Sequence, residues 1–194
     1  MDTFSKNMAS GKAHFRKGDY ARAIADFSEA LRLNPYDDTA YINRGLAYGM
    51  EGEHDRAADD FSEAVRLNPQ DAAFINRCLA YAMKGDPKRV IDELDAELGR
   101  SPDFADAYNS RGAAYFEKGE FKRALADFSA ALGLKPDSAD AYINRGIGYS
   151  MKGEHDRAID DFNEVLRLNP NSADAYHNRG VAYGMKGEHD RAIA

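Results

Sequence analysis

Cysteine is almost missing from this chain: among 194 residues Cys78 stands alone. One thiol cannot build an internal disulfide framework and fits a reducing compartment, so the expected location is cytoplasmic. Long apolar runs are missing as well. No stretch approaches the roughly 18 residues that crossing a bilayer requires, and the opening MDTFSKNMASGKAHF lacks the basic-then-apolar order of a secretory signal. A signal already removed would leave no mark. Positive charge is in deficit, with 26 Lys and Arg against 33 Asp and Glu and a formal net charge of −7. Binding a phosphate backbone depends on dense Lys and Arg, so neither nucleic acid nor membrane is an expected partner. Proline is scarce too, but five of the six prolines stand at 35, 69, 102, 136 and 170.

That spacing is a period of 34, with one residue missing between the second and third units. AYINRGLAYGMEGEHDRAADDFSEAVRLNP (40–69) and AYINRGIGYSMKGEHDRAIDDFNEVLRLNP (141–170) are nearly the same text. With the proline as position 32, the repeats run 4–37, 38–70, 71–104, 105–138, 139–172 and a shortened 173–194, a single array over residues 1–194. In each repeat, small and apolar residues fall at positions 4, 8 and 11 (Tyr41, Gly45, Tyr48) and at 20, 24 and 27 (Ala57, Phe61, Ala64). Both sets have the three-and-four spacing of a helix face. Position 15 is glycine throughout: Gly18, Gly52, Gly85, Gly119, Gly153 and Gly187. A first helix is expected to end there in a left-handed residue. Each repeat then reads as helix A, a tight turn, helix B and a stop.

These residues resemble the tetratricopeptide repeat (TPR) family over nearly the whole length: small at 8, Tyr at 11, Ala at 20, aromatic at 24, Ala at 27, Pro at 32. The resemblance implies an all-α fold, a right-handed superhelical solenoid of helix-turn-helix repeats. Departures gather in the third repeat, with Cys78, Pro87, Val90, Leu94 and Glu97 at positions 8, 17, 20, 24 and 27. Val with Leu roughly matches Ala with Phe in volume, so packing is expected to survive there.

GEHDRA, written at 52–57, 153–158 and 187–192, places a histidine between carboxylates three times. Position 17 reads Tyr20, His54, Pro87, Phe121, His155 and His189, a slot for a ring beside the turn or a proline opening helix B. Equivalent residues of neighbouring repeats lie about 10 Å apart, whereas ligands of one zinc ion need bonds of about 2 Å. The structural reading is therefore preferred, with no catalytic residue, metal or cofactor expected. A second pair recurs: Arg44, Arg77, Arg111, Arg145 and Arg179 at position 7, and Asp26, Asp60, Glu93, Asp127 and Asp161 at position 23. Ser10 in the first repeat leaves every member a partner only if each acid pairs with the arginine of the next repeat. Bridges Asp26–Arg44, Asp60–Arg77, Glu93–Arg111, Asp127–Arg145 and Asp161–Arg179 within about 4 Å are expected. The functional alternative is an arginine row that binds anions.

Positions 2, 6, 9 and 13 of helix A lie nearly opposite 4, 8 and 11. With position 5 beside them, they carry Ile42, Asn43, Leu46 and Met50, then Ile75, Asn76, Leu79 and Met83. Ile143, Asn144, Ile147 and Met151 follow in the fifth repeat, and His177, Asn178, Val181 and Met185 in the sixth. In the TPR family this side lines a concave groove that holds extended peptides, so the resemblance assigns these residues to a peptide-binding site. Asn43, Asn76, Asn144 and Asn178 look like the asparagine ladder of some members, broken at Ser110. Asparagine offers donor and acceptor to a peptide bond, and methionine adapts to varied partners. The bland alternative is that these side chains only seal neighbouring A helices. A two-carboxylate clamp matches once, at Asn43, among Met8, Lys12, Asn43, Ala72 and Asn76. Asp106, Asp140 and Asp174 at position 2 point to a neutral or basic partner, against solvated helix-start acids.

The reading is a non-enzymatic protein- or peptide-binding scaffold. Two alternatives stay open: a self-assembly module acting through its repeat edges, and the targeting fragment of a larger enzyme. Helix B of the sixth repeat is cut short, which suggests a piece of a longer array and homo-association through the uncapped last repeat.

Overall fold

A computed structural model describes residues 2–68 and 71–192 and places a helix wherever the period calls for one. Pro69, Ile193, Ala194 and the side chain of Ala72 lie outside the described residues. The A helices are α1 (Thr3–Arg16), α3 (Asp38–Met50), α5 (Asp71–Met83), α7 (Ala105–Glu117), α9 (Ala139–Met151) and α11 (Ala173–Lys186). The B helices are α2 (Tyr20–Leu33), α4 (His54–Leu67), α6 (Pro87–Arg100), α8 (Phe121–Leu134), α10 (His155–Leu168) and the short α12 (His189–Ala192). No strand occurs among the described residues. The chain divides into two compact units, Met1–Val90 and Ile91–Ala194, with the boundary inside α6 of the irregular third repeat. In the first, α3 packs on α4 and touches α1 and α5; in the second, α9 packs on α10 and touches α7 and α11.

The turn is set by one residue. All six position-15 glycines have φ between 74° and 83°, and no other residue has a positive φ among those described. The Cβ of an L residue crowds the backbone there, so glycine is favoured even where space is open, as at Gly153. Gly153→Ala is expected to cost about 1 kcal/mol, read as faster hydrogen exchange at the start of α10.

Caps fix the helix starts. Asp37 accepts a hydrogen bond from the Ala40 amide at 2.7 Å, and Ser138 and Ser172 accept from Ala141 and Ala175 at 3.3 Å. Asp19 and Asp86 cap α2 and α6 in the same way. Glu53, Glu120 and Glu154 are one methylene longer and make no cap bond. They pair with Arg56, Arg123 and Arg157 three residues on, at 2.7–2.8 Å.

Hairpins close through a glycine on a phenylalanine. Phe27, Phe61, Phe128 and Phe162 are buried, and a Cβ on Gly11, Gly45, Gly112 or Gly146 would stand 2.6–2.8 Å from the facing ring. Only a residue without a side chain lets helix A come that close to the ring. Ala23, Ala57, Ala124 and Ala158, each fully buried, do the same from helix B. In the third repeat both members of the glycine–phenylalanine pair change, to Cys78 and Leu94, and both stay buried.

The arginine and the acid pair within a repeat, which corrects the expected inter-repeat bridges. Arg44 donates to both oxygens of Asp60 at 2.7 and 2.8 Å, Arg111 to Asp127 at 2.8 Å, and Arg145 to Asp161 at 2.7 and 2.9 Å. Asp26–Arg44, Asp127–Arg145 and Asp161–Arg179 are therefore not the pairs formed. Asp26 takes His14 at 2.9 Å in place of an arginine, and Arg179 takes Asn163 at 2.8 Å. The link between repeats runs through position 25: one terminal guanidinium nitrogen of Arg44, Arg111, Arg145 and Arg179 reaches Ser28, Asp95, Ser129 and Asn163 of the preceding repeat. The guanidiniums of Arg44, Arg111 and Arg145 also sit 5.4–5.9 Å from two tyrosine rings of their own helix. Three of the five N–H donors of each of these three guanidiniums are spent on hydrogen bonds inside the protein.

Candidate functional site

Helix A turns one side toward its own B helix and leaves the opposite side exposed. Ile42, Asn43 and Leu46 on α3, Ile75 and Asn76 on α5, Ile143, Asn144 and Ile147 on α9 and Asn178 on α11 are all half-buried. Leu79, Met50, Met83, Met151 and Met185 are more than half exposed, at 54–62%. None of these residues is sealed in the core. Position 13 carries the four exposed methionines, one per A helix: Met50 and Met83 in the first unit, Met151 and Met185 in the second.

The asparagines do not behave alike. Asn43 donates to the Thr39 carbonyl at 2.7 Å and Asn178 to the Asp174 carbonyl at 2.9 Å, each on its own helix one turn back. That bond uses one amide hydrogen and orients the side chain, which keeps an acceptor oxygen and a second hydrogen. Asn144 instead donates to the side-chain oxygen of Asn109 at 3.1 Å. The break in the row at Ser110 therefore reaches the next rung, because Asn109 one position earlier draws Asn144 to itself.

Between α3 and α5 the same face dips into a notch of about 100 Å³. Leu46, Gly49, Met50, His54, Asn76, Leu79 and Met83 line it, above the Phe61 ring. Its counterpart between α7 and α9, about 140 Å³, is lined by Ala113, Phe116, Glu117, Phe128, Asn144 and Ile147. Positions 9, 12, 13 and 24 of one repeat and 6 and 9 of the next thus build both.

Position 12 sets the character of the notch wall. In the first and fourth repeats it is aromatic and stacks edge-on against position 17: Phe15 on Tyr20 at 5.3 Å and Phe116 on Phe121 at 5.1 Å. Where position 17 is histidine, position 12 is small: Gly49 with His54, Ser150 with His155, Gly184 with His189. The histidines occupy the ring slot beside the turn, and the buried Nδ1 of His54 and of His155 makes no hydrogen bond. Gly49 and His54 both line the notch between α3 and α5, whereas the notch between α7 and α9 has the Phe116 ring in its wall. Reading position 17 alone misses this; the pairing with position 12 was present in the sequence.

Among the described residues no group of three or more His, Cys, Asp or Glu side chains is placed to hold a metal ion. No described helix is long and apolar enough to cross a membrane.

Residues 8–72 match the family described as "Tetratricopeptide repeat", and residues 112–153 and 149–187 match "TPR repeat". No curated protein matches the chain in sequence. Among solved structures it is similar to the type IV pilus biogenesis factor PilW, at 19% identity and TM-score 0.80 over 100% of this chain and 90% of that one. It is also similar to a tetratricopeptide repeat protein from Parabacteroides merdae, at 22% identity and TM-score 0.73, over 98% and 76%. YrrB, described as a TPR protein with an unusual peptide-binding site, gives 22% identity and TM-score 0.58, over 91% and 97%.

Proposed function

Because this chain belongs to the tetratricopeptide repeat family, whose fold serves as a protein-interaction scaffold, we propose that it is a non-enzymatic binding protein that holds an extended peptide along its A helices. The observation that carries this is the set of apolar side chains left in water at positions 9 and 13, Leu79, Met50 and Met83 in the first unit and Met151, Val181 and Met185 in the second, in a chain that buries the phenylalanines at position 24. Apolar surface gathered on neighbouring helices and rimmed by polar residues marks an interaction site. Ile42, Ile75, Ile143 and Ile147 extend that surface, and Asn43, Asn76 and Asn178 supply backbone partners beside it, with Asn144 engaged by Asn109. YrrB, by its description, binds peptide on the same fold. In repeats four to six, Asp106, Asp140 and Asp174 are exposed at position 2, which favours a neutral or basic stretch of ligand there.

The test uses dodecapeptides selected from a random displayed library against the immobilised chain. Replacing Asn43 and Asn76 together by alanine is expected to weaken the best selected peptide about tenfold or more, measured by fluorescence anisotropy, with light scattering unchanged. Unchanged peptide binding with altered scattering would instead favour self-assembly through repeat edges, for which exposed Tyr176 and Met185 of α11 are the candidates.

A further inference from the structure

The first three A helices carry a charge pattern that says more about the ligand. Their positions 2, 5, 6, 9 and 13 hold two cations, Lys12 and Arg16, and no acid. Both are exposed on α1, at the repeat positions that Leu46 and Met50 occupy on α3. Neither forms an ion pair among the described residues; Arg16 only donates Nε to the Lys12 carbonyl at 3.2 Å. Apart from these two, Lys6 is the one other Lys or Arg within α1, and the helix has no Asp or Glu at all, in a chain of net charge −7.

One repeat further on lies the notch lined by Gly49 and His54. At about 100 Å³ it equals roughly three waters' share of liquid, well under the 300 Å³ or so at which small-molecule sites begin. The four-atom side chain of a leucine or methionine fills it. Met50 and Met83 on its rim adapt to the shape that enters.

We propose that the unit Met1–Val90 recognises an acidic peptide with a single aliphatic anchor: Leu or Met enters the notch between α3 and α5, and Asp or Glu side chains meet Lys12 and Arg16 on α1. This rests on the peptide-binding reading and narrows it to a ligand class. Neighbouring A helices are about 10 Å apart, so the cations stand about 15 Å from the notch. At about 3.4 Å per extended residue, the acids fall about four residues from the anchor. It is a different device from a carboxylate clamp, because the cations act on side chains within the segment.

Two variants test the two halves. Gly49→Phe adds a ring to a wall that keeps Leu46 and Met50, where the wider notch between α7 and α9 has Ala113 and Glu117 beside its Phe116, so the ring takes up the anchor's space; a Cβ at Gly49 meets nothing within 4 Å, so the variant is expected to fold. Lys12→Glu with Arg16→Glu reverses the charge on an exposed surface. Dodecapeptides selected on the wild-type chain are expected to share one Leu or Met and at least two acids about four residues away. Each variant is expected to weaken the best of them about tenfold or more, and raising salt from about 50 to about 500 mM to weaken it in the wild type but much less in the charge-reversed chain. Selected peptides that lose affinity with Asn43→Ala and Asn76→Ala but tolerate both of these variants, or that are basic, overturn this inference while the peptide-binding reading stands. Peptides indifferent to all the variants, or a failure to select any, overturn both.

Discussion

Arg44→Met is expected to cost about 3 kcal/mol at neutral pH and to recover part of that loss on acidification. Asp60 keeps only 7% of its side chain exposed, and Arg44 supplies both of its short hydrogen bonds. Burial pushes the Asp60 carboxyl above its ordinary value, against the pull of Arg44; the same hydrogen bonds raise the arginine. Methionine fills much of the arginine's volume but leaves a buried carboxylate with no counter-charge. Its pKa then rises further, because burial acts unopposed. A carboxyl whose folded pKa lies above its unfolded value contributes stability below the unfolded value and loses it as pH rises through the folded one. The gap between variant and wild type is therefore widest at neutral pH and closes as pH falls through the raised pKa of Asp60. Repeat arrays open in parts, so the readout is hydrogen exchange of α3 and α4 amides at neutral pH and at about pH 5. An equal loss at both would refute the account. Replacing both residues, Arg44→Met with Asp60→Leu, is expected to restore most of the stability, because the cost lies in the orphaned charge.

That pair also shows what a sequence can mislead about. Counting leftover members favoured inter-repeat bridges, on the premise that every arginine needs an acid and every acid an arginine. His14 and Asn163 break the premise: a half-buried carboxylate accepts from an imidazole, and a guanidinium donates to an amide oxygen. The inter-repeat contact does exist, but on the third guanidinium nitrogen and position 25, where Ser28, Asp95, Ser129 and Asn163 itself vary too much to read as a partner set.

What depends on backbone geometry was legible from single positions. Gly18 to Gly187 mark left-handed residues because glycine alone takes that φ without a Cβ penalty, and the 34-residue spacing then places every helix. The exposed face followed from helical periodicity once positions 4, 8 and 11 were assigned to the core. What depends on pairs was harder to see. The notch beside His54 requires positions 12 and 17 to be read together, and the state of Asn144 requires Asn109 on another repeat. Division of the chain inside α6 had only an indirect sign, the changes at Cys78, Pro87 and Leu94 that all fall in the third repeat.

The third repeat supplies the reasoning for the other large effect, at Gly146 and Phe162. A Cβ on Gly146 would stand 2.7 Å from the Phe162 ring, and that ring is 1% exposed with no room to withdraw. Gly146→Ala alone is expected to destabilise the fifth repeat by about 1–3 kcal/mol through overpacking. Phe162→Leu alone leaves a void beside a glycine and is expected to cost about 2 kcal/mol. Together the added methyl enters the space the ring gives up, so the double variant is expected to be more stable than the sum of the singles by at least about 1 kcal/mol. Cys78 and Leu94 already hold these two positions in the third repeat, where both remain buried. Hydrogen exchange across α9 and α10 measures the cycle. Additive losses would mean that the glycine is there for some reason other than the ring it faces.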